Sequence, residues 1–218
     1  MQRFIQASPA SITLALVCCV LLSQVGCNLF ATMMYDGEHV PAAYSELEEK
    51  KVAVVCISGR SSFNEDSVSR DIATGVESML TMNVDKIEII PQQKIDDWKD
   101  RNGSETTEAR LIGKDVGADM VIAIDLAQFE LSNNPSMLKG NAKFSMAVYD
   151  MNQKGKLVYK QHSKSIIFPR NGSISTASQS EEEFRRNFVN LMVFKIARNF
   201  YKYNIHVEMN LDESYVSD

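Results

Sequence analysis

Cysteine is nearly absent from the body of this chain. Cys18, Cys19 and Cys27 fall within the first 27 residues and only Cys56 lies beyond them, so the body cannot close an intramolecular disulfide. Cys56 sits within the apolar stretch Val52-Ala53-Val54-Val55-Cys56-Ile57 and is read as a buried small hydrophobe rather than a nucleophile. Histidine is as scarce. His39, His162 and His206 stand apart from one another, and none has a cysteine or acid at ligand spacing, so no metal and no cofactor is expected. A lysine and arginine cluster is also missing. With 23 basic against 28 acidic residues and a net charge of −5, the chain lacks the footprint of a nucleic-acid binder. Adhesion to an anionic membrane through charge alone is excluded on the same ground. No Gly-x-Ser-x-Gly elbow, phosphate loop or outstanding carboxylate pair is present, so no catalytic constellation emerges. Internal repeats and low-complexity tracts are absent too.

What is present begins at the N-terminus. Arg3 is the only charge before Cys27, and Ile12 to Leu22 form an eleven-residue apolar run. That is the length of a signal-peptide core and well short of the roughly 20 residues that span a bilayer. Ser23-Gln24-Val25-Gly26-Cys27 follows. This junction resembles the lipobox of bacterial lipoproteins, in which the cysteine is acylated and becomes the first residue after cleavage. Gln24 stands where that motif usually has leucine. The resemblance implies a signal peptide over 1–26, lipid on Cys27 and a tether over 27–50. An uncleaved anchor over Ile12–Tyr35 and plain secretion are the other readings, and all three end outside the cytoplasm. A flexible tether of this length spans about 26 Å. Asn102 and Asn171 each open an Asn-Gly-Ser sequence and are read as turns.

From Lys51 the pattern is that of a folded domain. Lys51–Ser58 reads as an internal parallel strand, apolar on both faces. Val68, Ile72, Val76, Met79 and Leu80 form a helical stripe. Ile87–Pro91 is a short strand, Gln92–Arg101 a helical turn, and Thr107–Val116 a short helix ended by Gly117. Ala118–Leu131 reads as a strand covered on both faces. Residues 142–149 alternate as a half-exposed antiparallel strand, and Asp150–Gly155 turns into Lys156–Pro169, with a bulge or edge position expected around His162. Ser180-Glu181-Glu182-Glu183 is a capping box opening a long helix that carries Phe184, Phe188, Leu191, Met192, Ile196 and Phe200 on one stripe. The expectation is a single α/β domain over 51–203, ordered β-α-β-α-β-β-β-α. Its mixed sheet is parallel first and an antiparallel meander later, and an acidic tail covers 204–218.

Lys50-Lys51-Val52-Ala53-Val54-Val55, Gly117-Ala118-Asp119, and Val148-Tyr149-Asp150 with Gly155 and Leu157-Val158-Tyr159 resemble a superfamily. It holds the curli-secretion lipoprotein, the amino-terminal domain of TolB and the lipoprotein activators of penicillin-binding proteins. The resemblance covers about residues 50–203. The stretch Cys27–Tyr35 further resembles a group of uncharacterised bacterial lipoproteins. The resemblance implies a non-enzymatic envelope lipoprotein that is held to the membrane through Cys27 and binds a protein partner. A small-ligand or polysaccharide-binding module, and an envelope enzyme, are the competing classes.

Two places on the domain are candidate sites. Ser58, Gly59, Arg60 and Ser61 follow the first strand and precede a helix, at the carboxyl edge where α/β sheets bind ligands; a small-anion site and an ordinary loop both fit. On the closing helix, Val189 and Phe194 point away from the main stripe and are expected either to pack in the core or to form a partner face.

Overall fold

The structure is a computed structural model that describes residues 39–58, 63–102, 108–132, 134 and 136–204, with residues 63–66 described in the backbone alone. Cys27 and the tail from 205 onward lie outside the described residues.

Strand β1 (Lys51–Ser58) is built from β-branched residues and is buried through most of its length. It is followed by helix α1 (Phe63–Asn83), a two-residue strand β2 (Glu88–Ile89), and helices α2 (Gln92–Asn102) and α3 (Ala109–Val116). Strands β3 (Met120–Leu131), β4 (Gly140–Asp150) and β5 (Lys156–Phe168) then form a meander, and helix α4 (Glu181–Ala197) follows. The sheet order is β2-β1-β3-β4-β5. β2 and β3 run parallel to β1, and β4 and β5 are antiparallel to their neighbours. The expected mixed α/β sheet is therefore the observed one. Gln92–Asn102 forms a full helix rather than a single turn.

Alternation along the strands sends neighbouring residues to opposite faces, and each face has its own core. On one face Val52, Val54, Ile122, Ile124, Phe144 and Val148 meet α1 through Ile72 and Val76 and meet α4 through Phe184 and Met192. On the other, Ala53, Val55 and Val121 meet Ile95, Trp98, Ala109 and Ile112 of α2 and α3. Only the parallel half is thus covered on both faces. β3 shows the change along its own length: its first half is buried at nearly every residue, and from Ile124 onward the burial alternates. The expectation of cover on both faces throughout β3 holds only for that first half.

Local signals place the helix ends. Ser180 is the N-cap of α4, and its side chain accepts from the Glu183 N–H at 3.2 Å. Gly117 ends α3 with φ 76°, a left-handed conformation open to glycine, and the next N–H, of Ala118, reaches Gly113 O at 2.9 Å. The packed chain begins before Lys51. Leu47 is fully buried, Tyr44 packs on Tyr159 with ring centroids 5.7 Å apart, and Tyr44 N–H donates to Asn199 O at 2.9 Å. Tyr44 and Leu47, which fall within the 27–50 stretch expected as a tether, therefore pack with the domain.

Candidate functional site

Of the expected anion loop, Ser58 is the half-buried last residue of β1; Gly59, Arg60 and Ser61 lie outside the described residues. What is described at the middle of β1 is a polar cluster with no anticipated member. β2 stops after two residues, so its side of β1 runs out of backbone donors. Glu88 N–H reaches Lys50 O and Ile90 N–H reaches Val52 O, both at 2.9 Å. At the next step along the ladder, Gln92 Nε2 takes over and donates to Val54 O at 2.7 Å. The same nitrogen donates to Glu77 Oε1 at 2.7 Å, which ties α2 to α1. An ion pair of 2.7 Å between Arg70 and Asp96 spans the same two helices.

Glu77 is only 9% exposed. Burial pushes its carboxyl up to about 7; the Gln92 hydrogen bond opposes this and the nearby Asp96 charge adds to it. A carboxyl near neutrality suits proton transfer when it faces a cavity. Here the group is buried and held by Gln92 between α1 and α2, the setting of a structural acid. Cys56 is similar in kind: it is buried, and burial pushes its thiol up to about 12 against a weaker opposing hydrogen bond from Ser69. An inert thiol is the result.

At the opposite end of the strands, Asp119 ties three of them together. Its Oδ2 accepts from Lys51 N–H at 3.0 Å and its Oδ1 from Asn152 Nδ2 at 3.1 Å. Its backbone N–H donates to Lys51 O and its carbonyl accepts from Met151 N–H. The Lys51 N–H bond, followed by the Asn152 bond, holds its carboxyl below the usual carboxylate range. The Gly117-Ala118-Asp119 sequence is therefore a helix stop followed by a strand clamp.

Val189 and Phe194 form no open face. They are 6% and 5% exposed. Val189 belongs to the first core. Phe194 meets Tyr203 edge-on at 5.9 Å and lies under the Arg198 guanidinium at 5.9 Å. The second apolar stripe of α4 is consumed within the chain, because the helix is flanked by α1 on one side and by the segment after Phe200 on another. Of the two readings of Val189 and Phe194, a core position and a partner face, their burial fits the core position.

The open surface lies instead along β5, the outermost strand. Lys156, Lys160, Lys164 and Arg170 are exposed there, as are Leu157 at 45% and Ile167 at 51%. A shallow groove of about 280 Å³ is lined by Ser165, Ile166, Ile167 and Arg170. Among the described residues no group of three His, Cys, Asp or Glu side chains is placed to hold a metal ion. Among them, too, no helix is long and apolar enough to cross a membrane.

Neither a protein-family model nor a curated protein matches the chain. Solved structures do. Lipoprotein GNA1162 from Neisseria meningitidis is 15% identical with a TM-score of 0.44, and the match covers 67% of this chain and 97% of that one. The PelC dodecamer from Paraburkholderia phytofirmans is 8% identical with a TM-score of 0.43, over 75% of this chain and 96% of that one. The LpoB C-terminal domain from Salmonella enterica is 16% identical with a TM-score of 0.34, over 62% and 90%. The structural neighbours thus include bacterial lipoproteins, at low identity and with nearly the whole of each neighbour covered.

Proposed function

We propose that this protein is a membrane-anchored lipoprotein of the bacterial cell envelope, acylated at Cys27, whose α/β domain serves as a non-enzymatic accessory that binds a protein partner. The observation that carries the reading is the N-terminal junction: an eleven-residue apolar run, one basic residue before it, and Val25-Gly26-Cys27 after it. A single acyl chain binds membranes only marginally, so stable anchoring requires more than one chain on the modified cysteine. The domain would then stay close to the membrane surface, within reach of envelope proteins. Its open edge at β5 offers backbone and charge to a protein partner.

The test is metabolic labelling with a fatty acid in a bacterial host. Wild type is expected to incorporate label and to migrate as a processed form. Cys27→Ala is expected to lose the label and accumulate as the longer precursor. Equal labelling of the two proteins would remove the lipoprotein reading.

A further inference from the structure

The tetrapeptide Arg-Asn-Gly-Ser occurs twice in the chain, from Arg101 and again from Arg170, and the two copies hold its only asparagines followed by glycine. In that pairing the glycine nitrogen can reach the asparagine side-chain carbonyl carbon, because no Cβ on the glycine crowds the approach. Asparagine is a thermolabile residue, and this attack is one route by which it is lost. The two copies share their local sequence. What separates them is where the fold puts each.

The first copy is restrained. Asn102 is the last residue of α2, and its Nδ2 donates to Trp98 O at 2.8 Å. Closing a five-membered ring onto the next nitrogen would require this residue to leave its helical ψ and to give up that hydrogen bond.

The second copy is open. Asn171 and Gly172 are both exposed, in the turn that follows β5 and leads into Ile174–Ser175, which pairs with Met137–Leu138. Neither the Asn171 amide nor the Gly172 N–H makes a hydrogen bond with a described residue. A Cβ placed on Gly172 would meet nothing within 4 Å, so the neighbourhood of the reacting nitrogen is clear.

We propose that Asn171 is a modification site, at which the folded chain deamidates without an enzyme while Asn102 is protected. Hydroxide removes the Gly172 amide proton, and the nitrogen attacks Asn171 Cγ. The new N–Cγ bond forms, the Cγ–Nδ2 bond breaks, and ammonia leaves after taking a proton back from water. Water then opens the succinimide. Addition at Cγ restores the ordinary main chain as aspartate, and addition at the main-chain carbonyl carbon gives isoaspartate. One water enters, one ammonia leaves, and nothing is oxidised or reduced. Either product is ionised at neutral pH, so the turn gains one negative charge next to Arg170, and isoaspartate also adds a methylene to the main chain there.

The test holds the full-length protein in detergent at pH 8 and at pH 5. Peptides containing Asn102 and Asn171 are followed over days by mass spectrometry, with fragmentation that distinguishes aspartate from isoaspartate. At pH 8 Asn171 is expected to convert at least about tenfold faster than Asn102, to give both products, and to slow at pH 5. In urea the two rates are expected to converge, since the tetrapeptides are the same. An unchanged Asn171, or equal rates in the folded protein, would overturn the site. Aspartate formed without isoaspartate would overturn the cyclic route. A rate ratio that persists in urea would overturn the assignment of the difference to the fold.

Discussion

Gln92 Nε2 lies 2.7 Å from Val54 O and 2.7 Å from Glu77 Oε1, so one side-chain amide continues a ladder that β2 leaves unfinished and also fastens two helices. Both acceptors are buried, and a buried acceptor without its donor costs about 1–3 kcal/mol. Gln92→Leu keeps the bulk and removes the donor, so a loss of about 2–4 kcal/mol is expected in urea unfolding at pH 8. The loss should shrink at pH 5, where Glu77 holds its proton. A loss below about 0.5 kcal/mol at pH 8 would show that water replaces the amide.

Glu77 makes the stability of the domain depend on pH. Its folded value of about 7 lies above the ordinary value of 4.5. Below pH 4.5 the group is protonated in both states. Between 4.5 and 7 the unfolded chain releases the proton and the folded chain retains it, so stability falls as pH rises through that window and the loss is complete above 7. The expected size is up to about 3 kcal/mol. Glu77→Gln keeps an acceptor for Gln92 and cannot ionise. The variant should match wild type near pH 4 and exceed it increasingly up to pH 8; a difference independent of pH would exclude Glu77 as the titrating group.

Asp119 has the opposite sign. Its carboxyl is held low by the Lys51 N–H and by Asn152, so its contribution is present above the unfolded value and is lost as pH falls through the folded one. Asp119→Ala should cost about 1–2 kcal/mol at pH 7 and progressively less toward pH 2, as read by thermal unfolding. Asp119→Asn retains an acceptor for Lys51 N–H and should cost less than half as much.

These sites differ in how far local sequence foretells them. β1 is legible because Val52 to Ile57 is apolar without interruption, and α4 because Ser180 and Glu183 announce its start. The bulge on β5 is legible because alternation fails around His162, and in the structure His162 and Ser163 together stand where β4 has Ser145 alone. Gln92 and Glu77 are not legible: they are 15 residues apart, and Gln92 reaches Val54 across 38. Nothing near Gln92 marks it except that it follows Pro91, where the strand stops. Leu47 is hidden by its neighbours, since Glu46, Glu48, Glu49 and Lys50 give the segment the look of a solvated linker. The faces of α4 were ambiguous for another reason. Periodicity identifies an apolar stripe but cannot say whether the same chain supplies its cover, which here comes from α1 and Tyr203.

Because Phe194 is covered from within the chain, its truncation should behave as a core lesion. Phe188 stacks on Phe129 at 5.2 Å and on Phe168 at 5.9 Å, and Phe188→Ala should cost about 3–5 kcal/mol. Phe194 has its edge contact with Tyr203 and its place beneath Arg198, so Phe194→Ala should cost about 2–4 kcal/mol in the isolated domain. A cost near zero would mean that the Tyr203 cover is not held in solution, and the outer face of α4 would then be open to a partner.

The approach of α1 to α4 depends on Gly75. A Cβ at this position would lie 2.5 Å from Val193 Cγ2 and 3.1 Å from Val193 Cγ1. Two effects oppose each other on replacing it. Alanine within a helix is favoured over glycine by about 1 kcal/mol, whereas overpacking a close helix contact costs about 1–3 kcal/mol. Val193 is β-branched and stiff at χ1, so it cannot swing aside without moving its helix, and the clash should outweigh the propensity gain. Gly75→Ala alone is therefore expected to lower the unfolding midpoint. Val193→Ala alone should also lower it by leaving a small void. Together the two should fit, because the methyl added on α1 fills space vacated on α4. The double variant should then be more stable than the sum of the single changes predicts, with an interaction energy of about 1–2 kcal/mol in a double-mutant cycle. Additive effects would show that the helices separate freely there, and that Gly75 is not what sets their spacing.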